Sequence, residues 1–178
     1  SISDLKLHMC LVALMVTKCA TAQTISCGSY HSAIVCADDS VRTWGGSPML
    51  GNGTLNQSAV PVTVVGLGGV EWISAGGDFT LAVRQDGTVW GWGNNFAGEL
   101  GDGTFTSPRL VPVQTQGIVD VEQLATGGSH VLALKTDGSL WAWGDNVYRQ
   151  LGIGNGPDTA VPVAVTAVTN VVQVAAGH

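Results

Sequence analysis

The stretch from Gly76 to Gly93, GGDFTLAVRQDGTVWGWG, returns from Gly127 to Gly144 as GGSHVLALKTDGSLWAWG. A more divergent copy runs from Gly28 to Gly45 as GSYHSAIVCADDSVRTWG. The leading glycines stand 48 (76 − 28) and 51 (127 − 76) residues apart, and Ala176-Gly177-His178 opens a fourth copy 50 residues on (177 − 127). A period near fifty restricts the chain to repeat architectures, each copy being one supersecondary unit that cannot bury its apolar face alone. It also bears on function, because repeat surfaces bind far more often than they catalyse.

Within a copy, Thr80 to Arg84 and Val89 to Trp92 read as two extended runs, with Trp90 and Trp92 on one face. Asp86-Gly87 and Asp137-Gly138 between such runs are hairpin signals, since glycine accepts positive φ at little cost. The first copy has Asp38-Asp39 there, so an aspartate must take the strained position. Gly- and Asn-rich loops follow, then Val60-Pro61-Val62, Val111-Pro112-Val113 and Val161-Pro162-Val163, where proline predicts an edge strand. A fourth apolar run, such as Val70 to Ala75, leads into the next glycine pair. Four short strands per fifty residues predict an all-β fold of four-stranded antiparallel propeller blades, with a β-solenoid as the alternative. At this period the chain supplies three blades and part of a fourth, an incomplete ring.

The pattern Gly-Gly-x-x-x-Leu-Ala-Leu/Val, Asp-Gly-Thr/Ser-Val/Leu-Trp-x-Trp-Gly-x-Asn, Glu/Gln-Leu-Gly resembles the regulator of chromosome condensation repeat family. The resemblance covers Gly28 to His178 and implies blades of a seven-bladed propeller. The first copy departs from it: Arg42 replaces the first Trp, and Gly45 to Leu50 is two residues shorter than Gly93 to Leu100. The family includes a nucleotide exchange factor for a small nuclear GTPase, a plant ultraviolet-B photoreceptor and many interaction modules. The photoreceptor's Gly-Trp-Arg-His-Thr motif does not occur here, and Trp44, Trp90, Trp92, Trp141 and Trp143 are accounted for by their repeat positions as packing residues.

Residues 22–178 therefore form the repeat region, preceded by an N-terminal segment, residues 1–21. The apolar run Met9 to Val16 has signal-peptide size, with Ala20-Thr21-Ala22 as a plausible cleavage site, but its basic flank is only Lys6. The competing reading is a strand: Val12 precedes Gly28 by the same 16 residues that separate Val60 from Gly76, Val111 from Gly127 and Val161 from Gly177. The four cysteines, Cys10, Cys19, Cys27 and Cys36, have no zinc spacing; Cys27 and Cys36 read either as a bridge across neighbouring strands or as buried thiols. Three blades leave two apolar faces open, which predicts a piece of a longer chain, or self-association that completes a ring.

Charged residues are 11 % of the chain, the net charge is −6, and the seven Lys and Arg nowhere cluster. Without a basic stripe to neutralise phosphates, neither nucleic acid nor an anionic membrane is an expected partner. Nor does a catalytic constellation stand out: the histidines occur singly, and no nucleophile elbow, zinc-binding helix motif or phosphate loop is present. His31 and His130 occupy near-equivalent slots and read as hydrogen-bonded structural residues. Accordingly no enzyme activity, cofactor or metal is expected, and the chain reads as a scaffold for a protein partner. Asn95, Phe96, Glu99, Asn146, Tyr148 and Arg149, in the loops after the Trp-x-Trp pairs, are the candidate binding residues, because aromatics and Arg dominate interface hot spots. Guanine-nucleotide exchange on a small GTPase is the alternative that the resemblance alone implies.

Overall fold

A computed structural model describes residues 24–177. They form three four-stranded antiparallel sheets, with no helix among the described residues. The first blade holds β1 (Thr24–Cys27), β2 (His31–Val35), β3 (Val41–Gly45) and β4 (Ser58–Thr63). The second holds β5 (Val70–Ala75), β6 (Phe79–Arg84), β7 (Val89–Gly93) and β8 (Arg109–Gln114). The third holds β9 (Val121–Thr126), β10 (His130–Lys135), β11 (Leu140–Gly144) and β12 (Thr159–Ala164). Strand order within each sheet follows the chain, so the proline-bearing β4, β8 and β12 are edges, as proline's missing N–H requires.

The phase of the repeat differs from its phase in sequence. The apolar run before each glycine pair does not close the preceding copy; β5 pairs with β6 in register Ile73↔Ala82, and so opens the next blade. The glycine pair is thus an internal turn, and the blade boundary falls in the links at 64–69 and 115–120. The alternation along β6 also has a different meaning. Every residue from Phe79 to Val83 is buried: Phe79, Leu81 and Val83 pack in the core shared with the third blade, while Ala82 packs in the core shared with the first. Large residues face one neighbour and small ones the other, so period two here separates two apolar interfaces rather than core from water.

The second tryptophan of each pair joins the blades. Trp92 and Trp143 are fully buried, and their indole N–H groups donate across to the Met49 carbonyl at 3.0 Å and the Glu99 carbonyl at 2.8 Å. The glycine two residues on, Gly51 or Gly101, lies on the indole; a Cβ there would stand 2.8 Å from Trp92 Cδ1 or 3.0 Å from Trp143 Nε1. This close approach explains the Leu-Gly pair of the repeat: leucine fills its own blade and glycine admits the neighbour's indole. Trp90 and Trp141 pack half-buried on the same cores.

Near the inner strands, backbone bonds tie the blades together, from Ser29 N–H to the Gly77 carbonyl (3.0 Å) and from Gly77 N–H to Gly127 (3.2 Å). Gly128 N–H reaches Gly177 in the same way at 3.3 Å. Residues 165–177 therefore run where the first strand of a further blade would lie, and carry no strand structure. Asp39 takes φ 58°, the position that Gly87 and Gly138 fill at 74° and 78°. Cys27 is an exposed free thiol near Ser32 Oγ (3.6 Å), whereas Cys36 is disulfide-bonded, so the Cys27–Cys36 bridge is not formed. Cys27 is not a buried thiol either, since the edge position of β1 leaves it in solvent. The strand and signal readings of Met9 to Val16 lie outside the described residues.

Candidate interaction site

Antiparallel order places two sets of connections on one end of the blades. The glycine turns at 28–30, 76–78 and 127–129 meet there with the long loops at 46–57, 94–108 and 145–158. The hairpin turns and inter-blade links occupy the opposite end.

In the second blade the loop is organised by Asn95, which is fully buried. Its side-chain N–H groups donate to Asp102 Oδ1 (3.1 Å) and the Thr104 carbonyl (3.0 Å), while its Oδ1 accepts from Leu100 N–H (2.9 Å). Asn146 does the same in the third blade, donating to the Gly156 carbonyl (2.9 Å) and accepting from Leu151 N–H (3.3 Å). An amide suits this position because its NH2 carries two donors and its separate oxygen accepts, so one side chain serves three partners at once. Asp102 completes the second loop by accepting from Arg109 at 2.6 Å. The salt bridge and the Thr104 hydrogen bonds hold its carboxyl below the usual range against the opposing effect of burial.

Glu99 is also buried, 1 % exposed, with Oε2 accepting from Ala97 N–H at 2.9 Å. Burial pushes its pKa up, and Asp145 and Asp158 of the third blade push it further. Gln150 makes the equivalent bond to Tyr148 N–H at 2.8 Å without the charge. Asn95, Glu99 and Asn146 thus lie buried within their loops, with their side-chain hydrogen bonds made to groups inside those loops.

Phe96, Tyr148 and Arg149 do face solvent, Phe96 at 74 % and Tyr148 at 86 % exposure. Arg149 has φ 63°, in the place where the second blade has Gly98. A Cβ on Gly98 would meet Ala160 Cα of the third blade at 2.6 Å, so the second blade needs glycine where the third displays a cation.

Sequence reasoning did not single out the groove between the first two blades, of about 560 Å³. Tyr30, Pro48 and Met49 line it from the first blade, and Asp78, Asn94 and Phe96 from the second. The signal for it was the two-residue shortening of the first blade's loop: where one of two adjoining loops is short, their junction is notched. Below the groove, His31 Nε2 lies 2.7 Å from Thr80 Oγ1, across the blade boundary. Burial drives the His31 pKa down to about 4, although the nearby Asp78 carboxylate opposes the shift. The hydrogen-bonded reading of His31 fits; in the second blade Phe79 fills the same slot. Among the described residues no cluster of His, Cys, Asp and Glu could hold a metal ion. No helix there is long and apolar enough to cross a membrane.

Three clasped, four-stranded blades with loops gathered at one end define a β-propeller segment. The chain belongs to the Regulator of chromosome condensation (RCC1) repeat family, whose repeat it matches over residues 86–134 and 137–178. A second description of the same repeat matches residues 22–48 and 121–150. It is 33 % identical over 165 residues to the human E3 ubiquitin-protein ligase HERC2, covering 86 % of this chain and 3 % of that protein. To the ultraviolet-B receptor UVR8 of Arabidopsis thaliana it is 32 % identical over 151 residues, 81 % of this chain and 34 % of the receptor. Among solved structures, human WBSCR16 superposes with a TM-score of 0.77 at 28 % identity, over 88 % of this chain and 42 % of that one. Yeast RCC1 (Prp20), solved bound to Kap60, superposes with a TM-score of 0.80 at 21 % identity, over 88 % of this chain and 40 % of that one, a likeness of fold. The chain thus spans well under half the length of each.

Proposed function

We propose that these blades are a non-enzymatic protein-interaction scaffold whose loop end contacts the partner. The observation that carries the reading is the division of labour in the loops. Asn95 and Asn146 lock the loop backbones from within, while Phe96 and Tyr148 of the same loops stand 74 % and 86 % exposed, with Tyr30 exposed beside them in the first glycine turn. Exposed aromatics on a rigid support lose little conformational freedom on binding, which is the physics of an interface anchor. Yeast RCC1 (Prp20), similar to this chain in fold, was solved bound to Kap60 and has binding properties to Gsp1p and histones, so its partners include proteins.

The test is photocrosslinking from position 148 in the intact protein to identify the partner, followed by affinity measurement. Tyr148→Ala and Phe96→Ala should each weaken binding about tenfold or more. Gln85→Ala, at the opposite end, should not. The reading fails if the loop variants bind as tightly as the parent. Exchange activity is the second reading: it requires substoichiometric protein to accelerate release of labelled guanine nucleotide from a small GTPase, whereas a scaffold binds with fixed stoichiometry and no turnover.

A further inference from the structure

We infer that the groove between the first and second blades is a pocket for a single arginine side chain of the partner protein, its guanidinium held by Asp78 and stacked against Tyr30 and Phe96. This rests on the interaction reading above and names the partner's chemistry at one point of the surface.

Asp78 is the only charged residue lining the groove, and its Oδ1 is buried with no hydrogen-bond partner among the described residues. That oxygen is closed to solvent, so a ligand in the groove meets the rest of the carboxylate, and a cationic donor there offsets the cost of a charge left without a hydrogen-bond partner on its buried side. An apolar side chain in the groove would deepen the desolvation, and an acidic one would be repelled. Among the described residues no Lys or Arg lines the groove. Arg109 is already bound by Asp102, and Arg149 lies on the third blade. The remaining loop-end charges, Asp78, Glu99, Asp145 and Asp158, are acidic, as is the chain at −6.

Tyr30 and Phe96 line the groove from opposite blades, each 74 % exposed, so both rings are free to pack on a group held there. A guanidinium suits this combination better than an ammonium. It is planar, more weakly hydrated, and can stack on a ring while its edge donates to a carboxylate. Asn94 is fixed on the wall by the bond its Oδ1 accepts from Ser107 Oγ at 2.8 Å, so one side of the pocket is pre-set. A volume near 560 Å³ accommodates one long side chain with its flanking backbone.

The experiment is a ligand-observed NMR titration of the intact protein with acetyl-Gly-Arg-Gly-amide, its lysine analogue and its citrulline analogue, which keeps the shape and removes the charge. The arginine peptide should saturate with a Kd on the order of millimolar, the lysine peptide several-fold weaker, and the citrulline peptide should not saturate. Asp78→Asn should weaken the arginine peptide at least tenfold and Tyr30→Ala about fivefold, while Gln85→Ala, at the opposite end, leaves it unchanged. Equal binding of citrulline, or no loss with Asp78→Asn and Tyr30→Ala, overturns the pocket. If the pocket fails while Tyr148→Ala still weakens the partner, the scaffold reading stands alone. If the arginine peptide binds as stated but Tyr148→Ala leaves the partner's affinity intact, the pocket stands and the wider loop surface does not.

Discussion

Trp92 reaches from the second blade into the first just as Trp143 reaches from the third into the second, at 3.0 and 2.8 Å from their carbonyls. Above that shared clasp the two junctions part. Between the second and third blades, Phe79 packs into an apolar core, the loop is full length, and Glu99 is sealed in facing Asp145 and Asp158. Between the first and second, a histidine replaces the phenylalanine, the loop is two residues shorter, and the junction opens into a groove with a carboxylate in it. The clasp, with the Met49 and Glu99 carbonyls and the glycines Gly51 and Gly101 that receive the indoles, is common to both junctions because blades must stack; the loop residues around it differ between the two.

Emptying the clasps gives the largest expected effect. Trp92→Ala and Trp143→Ala should each cost about 3–5 kcal/mol, within about 1 kcal/mol of one another, in urea unfolding. A large difference would break the claim that the junctions share one foundation. Next in size is the acid response of the first junction. His31 titrates near 4 folded and near its ordinary 6.5 unfolded, so the unfolded chain takes up the proton first. Stability contributed by the neutral ring is fully present above pH 6.5 and falls by roughly 3 kcal/mol as pH drops through 4. His31→Phe, which copies the second blade, should remove that slope in circular dichroism melts across the same range; an unchanged slope would assign it elsewhere.

The smallest effect has the opposite sign and belongs to the other junction. Burial and two aspartates raise the Glu99 pKa, so the folded chain binds this proton before the unfolded one does. The ionised group therefore destabilises at neutral pH, and the penalty is relieved as pH falls through its raised folded value. Glu99→Gln, copying Gln150, should add about 1 kcal/mol at pH 7 and flatten that dependence. A loss of stability would show that the charge is used.

What was legible in the sequence is what depends on the chain's local chemistry. Asp-Gly marked the hairpins, proline marked the edges, and the fifty-residue period marked the blades. The rest required contacts between copies. Trp92 meets Met49 and Trp143 meets Glu99 across the blade boundary, so neither the Leu-Gly pair nor the burial of Glu99 can be read within one repeat. Asn95 and Asn146 look like surface residues because polar loops usually are; here their amides bond groups of their own loops, mostly backbone. Tyr30 and Asp78 sit in short glycine turns, and only the folding of two blades against each other sets them in one groove.

The most direct test of the loop-end account is hydrogen–deuterium exchange of the intact protein with and without its crosslinked partner. The account predicts slowed exchange in the loops at 46–57, 94–108 and 145–158 and the turn at 76–78, with the hairpin turns at Asp38-Asp39, Gln85-Asp86 and Thr136-Asp137 unchanged. Protection confined to those hairpin turns, or to the outer edges β4, β8 and β12, would contradict it.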